Sequence, residues 1–199
     1  MKKYVLITIG LLFIVTACSS ENIEIEKDQV EDEGNLETDD PMQAGNKNNG
    51  IKVFNISDVF TYQIKDWYVN DDTDDDGFNE IDFEGYSVKF AMVSVEDTAE
   101  NESIGVFVET ENDTDKETYF NMDMEFITDT QEQTHSGNGV GESKPGEKIK
   151  GFVLASLDND APDSFIVTID PPFKLVGESA FDFEEGHFGE PVELKFTKE

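Results

Sequence analysis

The stretch NDDTDDDGFNEID, residues 70–82, sets five aspartates among the six positions from Asp71 to Asp76 and then turns on Gly77. Clustered carboxylates repel one another. A divalent cation relieves that repulsion, and a glycine lets the backbone fold around it. Counted from Asp72, side-chain oxygens fall at the first, third and fifth positions (Asp72, Asp74, Asp76), the glycine at the sixth, a backbone carbonyl at the seventh and Glu80 at the ninth. That is the order of a calcium loop. The twelfth position is Phe83, so the closing carboxylate must come from Asp82 or Glu84, one residue off register, or from elsewhere. The spacing thus predicts a Ca2+ loop at 72–84 with ligands Asp72, Asp74, Asp76, Glu80 and Asp82. Its affinity would be weak, about 0.1–1 mM as in extracellular modules, and its role would be to hold the loop. The competing expectation is a solvated charge run, since 46 of the 199 residues are acidic.

Other chemistry has few residues to work with. The two histidines, His135 and His187, stand in HSGNG and EEGHFGE, outside any HExxH or Cys/His spacing for zinc, and both read as surface loop residues. The sequence has no G-x-S-x-G elbow and no glycine-rich phosphate loop. Carboxylate pairs suited to glycoside hydrolysis are uninformative where acids are so abundant. DNDAPD, residues 158–163, lacks a glycine and reads as a turn. No catalytic residue is assigned, and no cofactor beyond the Ca2+ of the acidic loop.

Charge narrows the partners. The formal net charge is -32, and all 14 basic residues are lysine. Arginine is the preferred fork for phosphate and guanine, and nucleic-acid binding depends on cations that displace counterions. DNA and RNA are therefore excluded as partners. The same charge repels an anionic membrane surface, so membrane association requires a hydrophobic or covalent anchor.

The N-terminus supplies one. Lys2 and Lys3 precede an apolar run from Tyr4 to Val15 broken only by Thr8, a span too short for the roughly 20 residues that cross a bilayer. It reads as a signal peptide, residues 1–17. Its last residues, Val15-Thr16-Ala17, precede Cys18, the only cysteine, and this tetrapeptide resembles the bacterial lipobox. The resemblance implies that Val15, Thr16 and Ala17 are recognition positions, that Cys18 is acylated on sulfur, and that the mature chain sits on the outer face of the cell membrane. A single cysteine also removes disulfides.

Residues 18–50 are acidic, rich in Asn and Gly and without an aromatic, so they cannot bury enough apolar surface to offset ordering. They are expected to form a disordered tether. From Ile51 the texture changes to period-two alternation. Phe60, Tyr62 and Ile64 fall on one face of a strand; Tyr86, Val88, Phe90 and Met92 on another; Ile104, Val106 and Val108 on a third. Phe120 to Phe126 reads as one further strand, followed by others around Ile149–Val153, Phe165–Ile169 and Val192–Phe196. With one face of each strand apolar and the other wet, residues 51–199 are expected to form an all-β, immunoglobulin-like antiparallel β-sandwich.

The run from Val106 to Gln133 resembles the telokin-like, immunoglobulin-fold domains of Gram-positive lipoproteins of unknown function. Glu111, Asn112, Thr114, Asp115 and Lys116 occupy the family's E-N-T-x-D-K turn, and Thr128, Asp129, Thr130, Glu132 and Gln133 its T-D-T-G-E-Q segment. Gln131 replaces the usual glycine, and the acidic loop looks like an insertion. The resemblance implies no catalytic residues. The leading expectation is a lipid-anchored extracellular domain, not an enzyme, that binds a protein, a cell-wall component or an ion. The alternatives are a cell-surface hydrolase with an unrecognised carboxylate site and a solute-binding lipoprotein, which usually needs two α/β lobes and a longer chain.

Overall fold

The computed structural model describes residues 36–56, 60–128, 133–136, 140–156, 161–175 and 183–199. In chain order the elements begin with β1 (Leu36–Thr38), the short helix α1 (Pro41–Gly45), a 3-10 turn (Lys47–Asn49), β2 (Ile51–Ile56) and β3 (Phe60–Val69). The acidic loop follows, then β4 (Asn79–Phe83), β5 (Tyr86–Asp97), β6 (Glu102–Asn112), β7 (Thr118–Phe120) and β8 (Met124–Thr128). The remainder is β9 (Gln133–Ser136), β10 (Gly141–Ser143), β11 (Lys148–Ser156), β12 (Ser164–Ile169), β13 (Phe173–Leu175), β14 (Phe183–His187) and β15 (Val192–Lys198). The domain is an all-β sandwich, antiparallel in every described pairing except β1 with β2.

The larger sheet runs β11-β6-β5-β3-β15-β12-β8-β9, with β4 paired to β5 and β1 and β2 added beside β3. It curls, so that β9 comes back close to β11 at the other end of the path. A smaller sheet, β10-β7-β13-β14, completes the enclosure. Inside lie the residues whose alternation marked the strands: Tyr86, Val88, Phe90 and Met92 of β5, Ile104, Val106 and Val108 of β6, with Phe126, Phe165 and Phe196 from the facing strands. Phe165 meets Tyr68, Phe126 and Phe196 at ring separations of 4.8 to 5.6 Å. Each such buried side chain contributes about 1.5–3 kcal/mol.

The opposite face of β5 departs from the expectation of a wet surface. Beyond Met92 its residues Val93 and Val95 are also buried, in a second apolar cluster with Phe54, Ile64, Trp67, Phe107 and Ala44. What covers them includes the chain before residue 51. Residues 36–50, expected to belong to the tether, are built into the domain: β1 extends the sheet beside β2, and α1 lies against β6. Two small residues make this fit. Ala44 is fully buried, and the backbone of Gly45 comes so close to Phe107 that an added Cβ would sit 2.9 Å from Phe107 Cβ. Asp40 caps the helix, its Oδ1 accepting from the Met42 N–H at 2.9 Å, with Pro41 at the first turn. The domain boundary therefore lies no later than residue 36.

The Phe120–Phe126 run is likewise two strands, β7 in the small sheet and β8 in the large one. Met122 between them adopts φ 45 while fully buried, and this left-handed residue swings the chain from one layer to the other.

Candidate functional site

The acidic loop joins β3 to β4, and its own backbone engages the carboxylate of Asp74. Asp74 Oδ1 accepts from the N–H groups of Asp76 at 3.0 Å and Phe78 at 2.8 Å, while the Asp74 N–H donates to the Phe78 carbonyl at 2.8 Å. The Gly77 N–H closes the turn on the Asp74 carbonyl, and Gly77 takes φ 95, where a side chain would be strained. Upstream, Asn70 Oδ1 accepts from the Asp72 N–H. The strap formed by residues 36–50 then docks on the loop: Asn48 Nδ2 donates to the Asp75 carbonyl and to Asp76 Oδ1, and the Lys47 N–H to the Asp76 carbonyl. Lys47 Nζ, 3.1 Å from a Glu199 carboxylate oxygen, brings a positive charge to the same end of the fold.

Glu80 and Asp82 are carried away from that turn. They alternate along the outer face of β4, with Glu80 opposite Lys89 and Asp82 opposite Ser87 of β5, and Asp82 Oδ1 accepts the Gly85 N–H of the two-residue β4–β5 turn. Asp72, Asp74 and Asp76, on the turn itself, are all exposed. Among the described residues no group of three or more Asp, Glu, His or Cys is gathered so as to hold a metal ion. The outer face instead carries a ladder of alternating charge, Glu80, Lys89, Glu109 and Lys150 on neighbouring strands, with Glu111 and Lys148 paired at 2.6 Å beside it.

Asn112, the last residue of β6, is fully buried and ties three segments together. Its Nδ2 donates to the carbonyls of Lys116 and Ser143 and to Thr118 Oγ1, and its Oδ1 accepts from the Thr114 N–H and hydroxyl. Of the later motif segment, residues 129–132 lie outside the described residues, as do Val15, Thr16, Ala17 and Cys18.

A feature without a local signature appears on the small sheet. Cross-strand register places Glu142 of β10, Tyr119 of β7, Phe173 of β13 and His187 of β14 in one row. Their chain neighbours Ser143, Thr118, Phe120 and Phe188 are buried, so the row faces outward. Tyr119 and Phe173 are half-buried, His187 and Glu142 are exposed, and the Phe173 and His187 rings sit 4.4 Å apart.

Open grooves are formed by the described residues. One of about 620 Å³ lies between the acidic loop at Asn70–Asp72 and the outer face of β15 at Glu193–Lys195. Another, about 240 Å³, runs beside Lys47, Asp74 and Glu199. The third, about 420 Å³, is lined by Asp170, Pro171, His187, Gly189, Glu190 and Pro191 at the end of the aromatic row. Every carboxylate lining these grooves is solvent-exposed.

Compared with protein families, curated proteins and solved structures, the chain matches none.

Proposed function

We propose that the protein is a non-catalytic binding module, held at the outer face of the cell membrane of a Gram-positive bacterium by a lipid on Cys18 and projected outward by an acidic tether. The anchor reading rests on the signal-like run and the single cysteine after Val15-Thr16-Ala17. The telokin-like resemblance belongs to the same reading. The binding reading is carried by one observation: these grooves are open, and the carboxylates that line them are exposed to water. A hydrolase acting through two carboxylates needs one held protonated in a desolvated pocket. Exposed acids supply recognition of hydroxyls and cations instead.

The test is expression of the full chain in a Gram-positive host. Intact cells should lose the domain to added protease, and the secreted full-length Cys18→Ala form should adsorb to purified cell envelope without releasing soluble products from it. Protection from protease on intact cells, or steady release of sugars or peptides from the envelope, would overturn the proposal.

A further inference from the structure

Strand β15 is paired along its length on one side and only at its end on the other. Toward β12 it is matched residue for residue from Val192 to Thr197. Toward β3 the pairing joins Thr197 to Val69 and Lys198 to Tyr68 and then stops, because β3 ends at Val69 and a turn on Asn70 carries the chain into the acidic loop. In an antiparallel ladder each residue directs its N–H and C=O to one side, and successive residues alternate. The Lys198 N–H donates to the carbonyl of Asp163, just ahead of β12, and the Glu199 N–H to the Trp67 carbonyl of β3, both at 2.9 Å. The even-numbered residues of β15 therefore face β12, and the odd-numbered ones face the side of β3. Glu193 and Lys195 turn their backbone groups to that side beyond the reach of β3, and β4 is not a hydrogen-bonded neighbour of β15. Among the described residues no backbone partner meets them there. The groove of about 620 Å³ runs along this bare edge, lined also by Asp71 and Asp72. Leu194, an inward residue in the same lining, is only half-buried, whereas Phe196, next to the β3 pairing, is fully covered.

We propose that this edge takes up one strand of a partner protein, an extended segment in which apolar residues alternate with lysine or arginine; the proposal rests on the binding-module reading and names the partner. Unpaired N–H and C=O groups in a row are a template for another strand, and main-chain bonds supply the affinity while alternate side chains supply the choice of sequence. Glu193 and Lys195 are exposed, their side chains standing out of the sheet and leaving the backbone edge accessible. An added strand that runs antiparallel to β15, as β3 does, sets its outward residues opposite Lys195 and Glu193 and its inward residues over Leu194. Charge selects the outward set. Asp71, Asp72 and Glu193 are exposed carboxylates around the groove, with Lys195 the one cation in its lining. A chain of net charge -32 steers basic partners toward itself and repels a second copy, and the acidic stretch at 19–35 is repelled from this rim in the same way.

The experiment titrates the secreted full-length Cys18→Ala protein into a fluorescent heptapeptide of alternating lysine and valine and follows its anisotropy. The same peptide N-methylated on its lysines lacks the donors that would face β15, and one N-methylated on its valines lacks only those of the far edge. Binding is expected for the parent peptide and the valine-methylated form, about tenfold weaker for the lysine-methylated form, and absent for a glutamate and valine peptide. On the protein, Lys195→Ala keeps the N–H and removes the one like charge, so it should bind at least as tightly as the parent. Lys195→Pro removes the N–H that faces the groove and leaves the β12 ladder intact, so it should bind about tenfold more weakly than Lys195→Ala. Unchanged Trp67 fluorescence certifies the fold of both variants, and the methylated peptides decide the matter on the parent protein if Lys195→Pro does not fold. No binding of the lysine and valine peptide, equal binding of its two methylated forms, or full affinity in a folded Lys195→Pro would overturn the proposal. Envelope adsorption without peptide binding overturns the partner and leaves the binding-module reading standing, whereas loss of both removes the module reading as well.

Discussion

The Lys47 N–H donates to the Asp76 carbonyl at 3.0 Å, joining the strap of residues 36–50 to the acidic loop. Two residues earlier Gly45 offers its carbonyl to Trp67 Nε1 at 3.3 Å and lets Phe107 approach its backbone. The strap is therefore fastened at one end by polar contacts and along α1 by close packing.

Gly45→Leu should break that packing. A side chain here meets Phe107 and Phe78 at once, and overpacking of this kind costs about 1–3 kcal/mol. Trp67 is the only tryptophan and touches the strap directly, so the variant should show red-shifted emission and greater acrylamide quenching together with a lower urea midpoint. Unchanged emission would mean that α1 does not cover Trp67.

Asp74→Ala should destabilise the loop whether or not calcium is present, because Asp74 Oδ1 serves the N–H groups of Asp76 and Phe78. The expected loss is about 1–2 kcal/mol by urea denaturation, the same within error with millimolar calcium and with chelator. A loss seen only with calcium would make Asp74 a metal ligand, as the loop's spacing predicts.

Asn112 has no substitute of equal shape and donor count. Asn112→Ala leaves the carbonyls of Lys116 and Ser143 without their donor inside the fold, and a loss of about 2–4 kcal/mol is expected. Asn112→Asp should be at least as damaging, since it turns an acceptor toward those carbonyls. Thermal unfolding of the two variants decides this, and near-parental midpoints would contradict the role given to Asn112.

Asp40 gives the strap a mild pH dependence. Partial burial raises its carboxyl, but the bond from Lys150 and the Met42 N–H outweigh that and hold it below its ordinary value of 3.8. A carboxyl depressed in the folded state stabilises at neutral pH, and that contribution disappears as the pH falls below about 4. The Lys150–Asp40 pair is partly exposed, so water screening limits it to about 0.3 kcal/mol. Asp40→Asn keeps the helix cap and loses the charge; its stability deficit at pH 7 should shrink as the pH is lowered below about 4 in urea titrations. A deficit constant across that range would assign the effect to the cap alone.

What the sequence disclosed follows the range of the interactions. Alternation in β5, β6, β12 and β15 is a local pattern, and it located these strands and their inward faces. The strap was hidden because the residues that seat it, Ala44 and Gly45, are small, and an apolar count cannot see a close approach that needs the absence of a side chain. Phe120–Phe126 kept its alternation through Met122, whose left-handed backbone no periodicity reports. The acidic loop matched a ligand spacing, yet β4 begins at Asn79 and draws Glu80 and Asp82 along the strand. The row of Tyr119, Phe173 and His187 is assembled from distant positions by sheet register, so no window of sequence contains it.

The central claim is that one acylated thiol holds this β domain outside the cell. Growth of an expressing Gram-positive host with alkyne-tagged palmitate tests it directly. The parent protein should carry the label and sediment with membranes, while Cys18→Ala should be unlabelled and released to the medium. Label retained in Cys18→Ala, or a parent chain without label, would contradict the account.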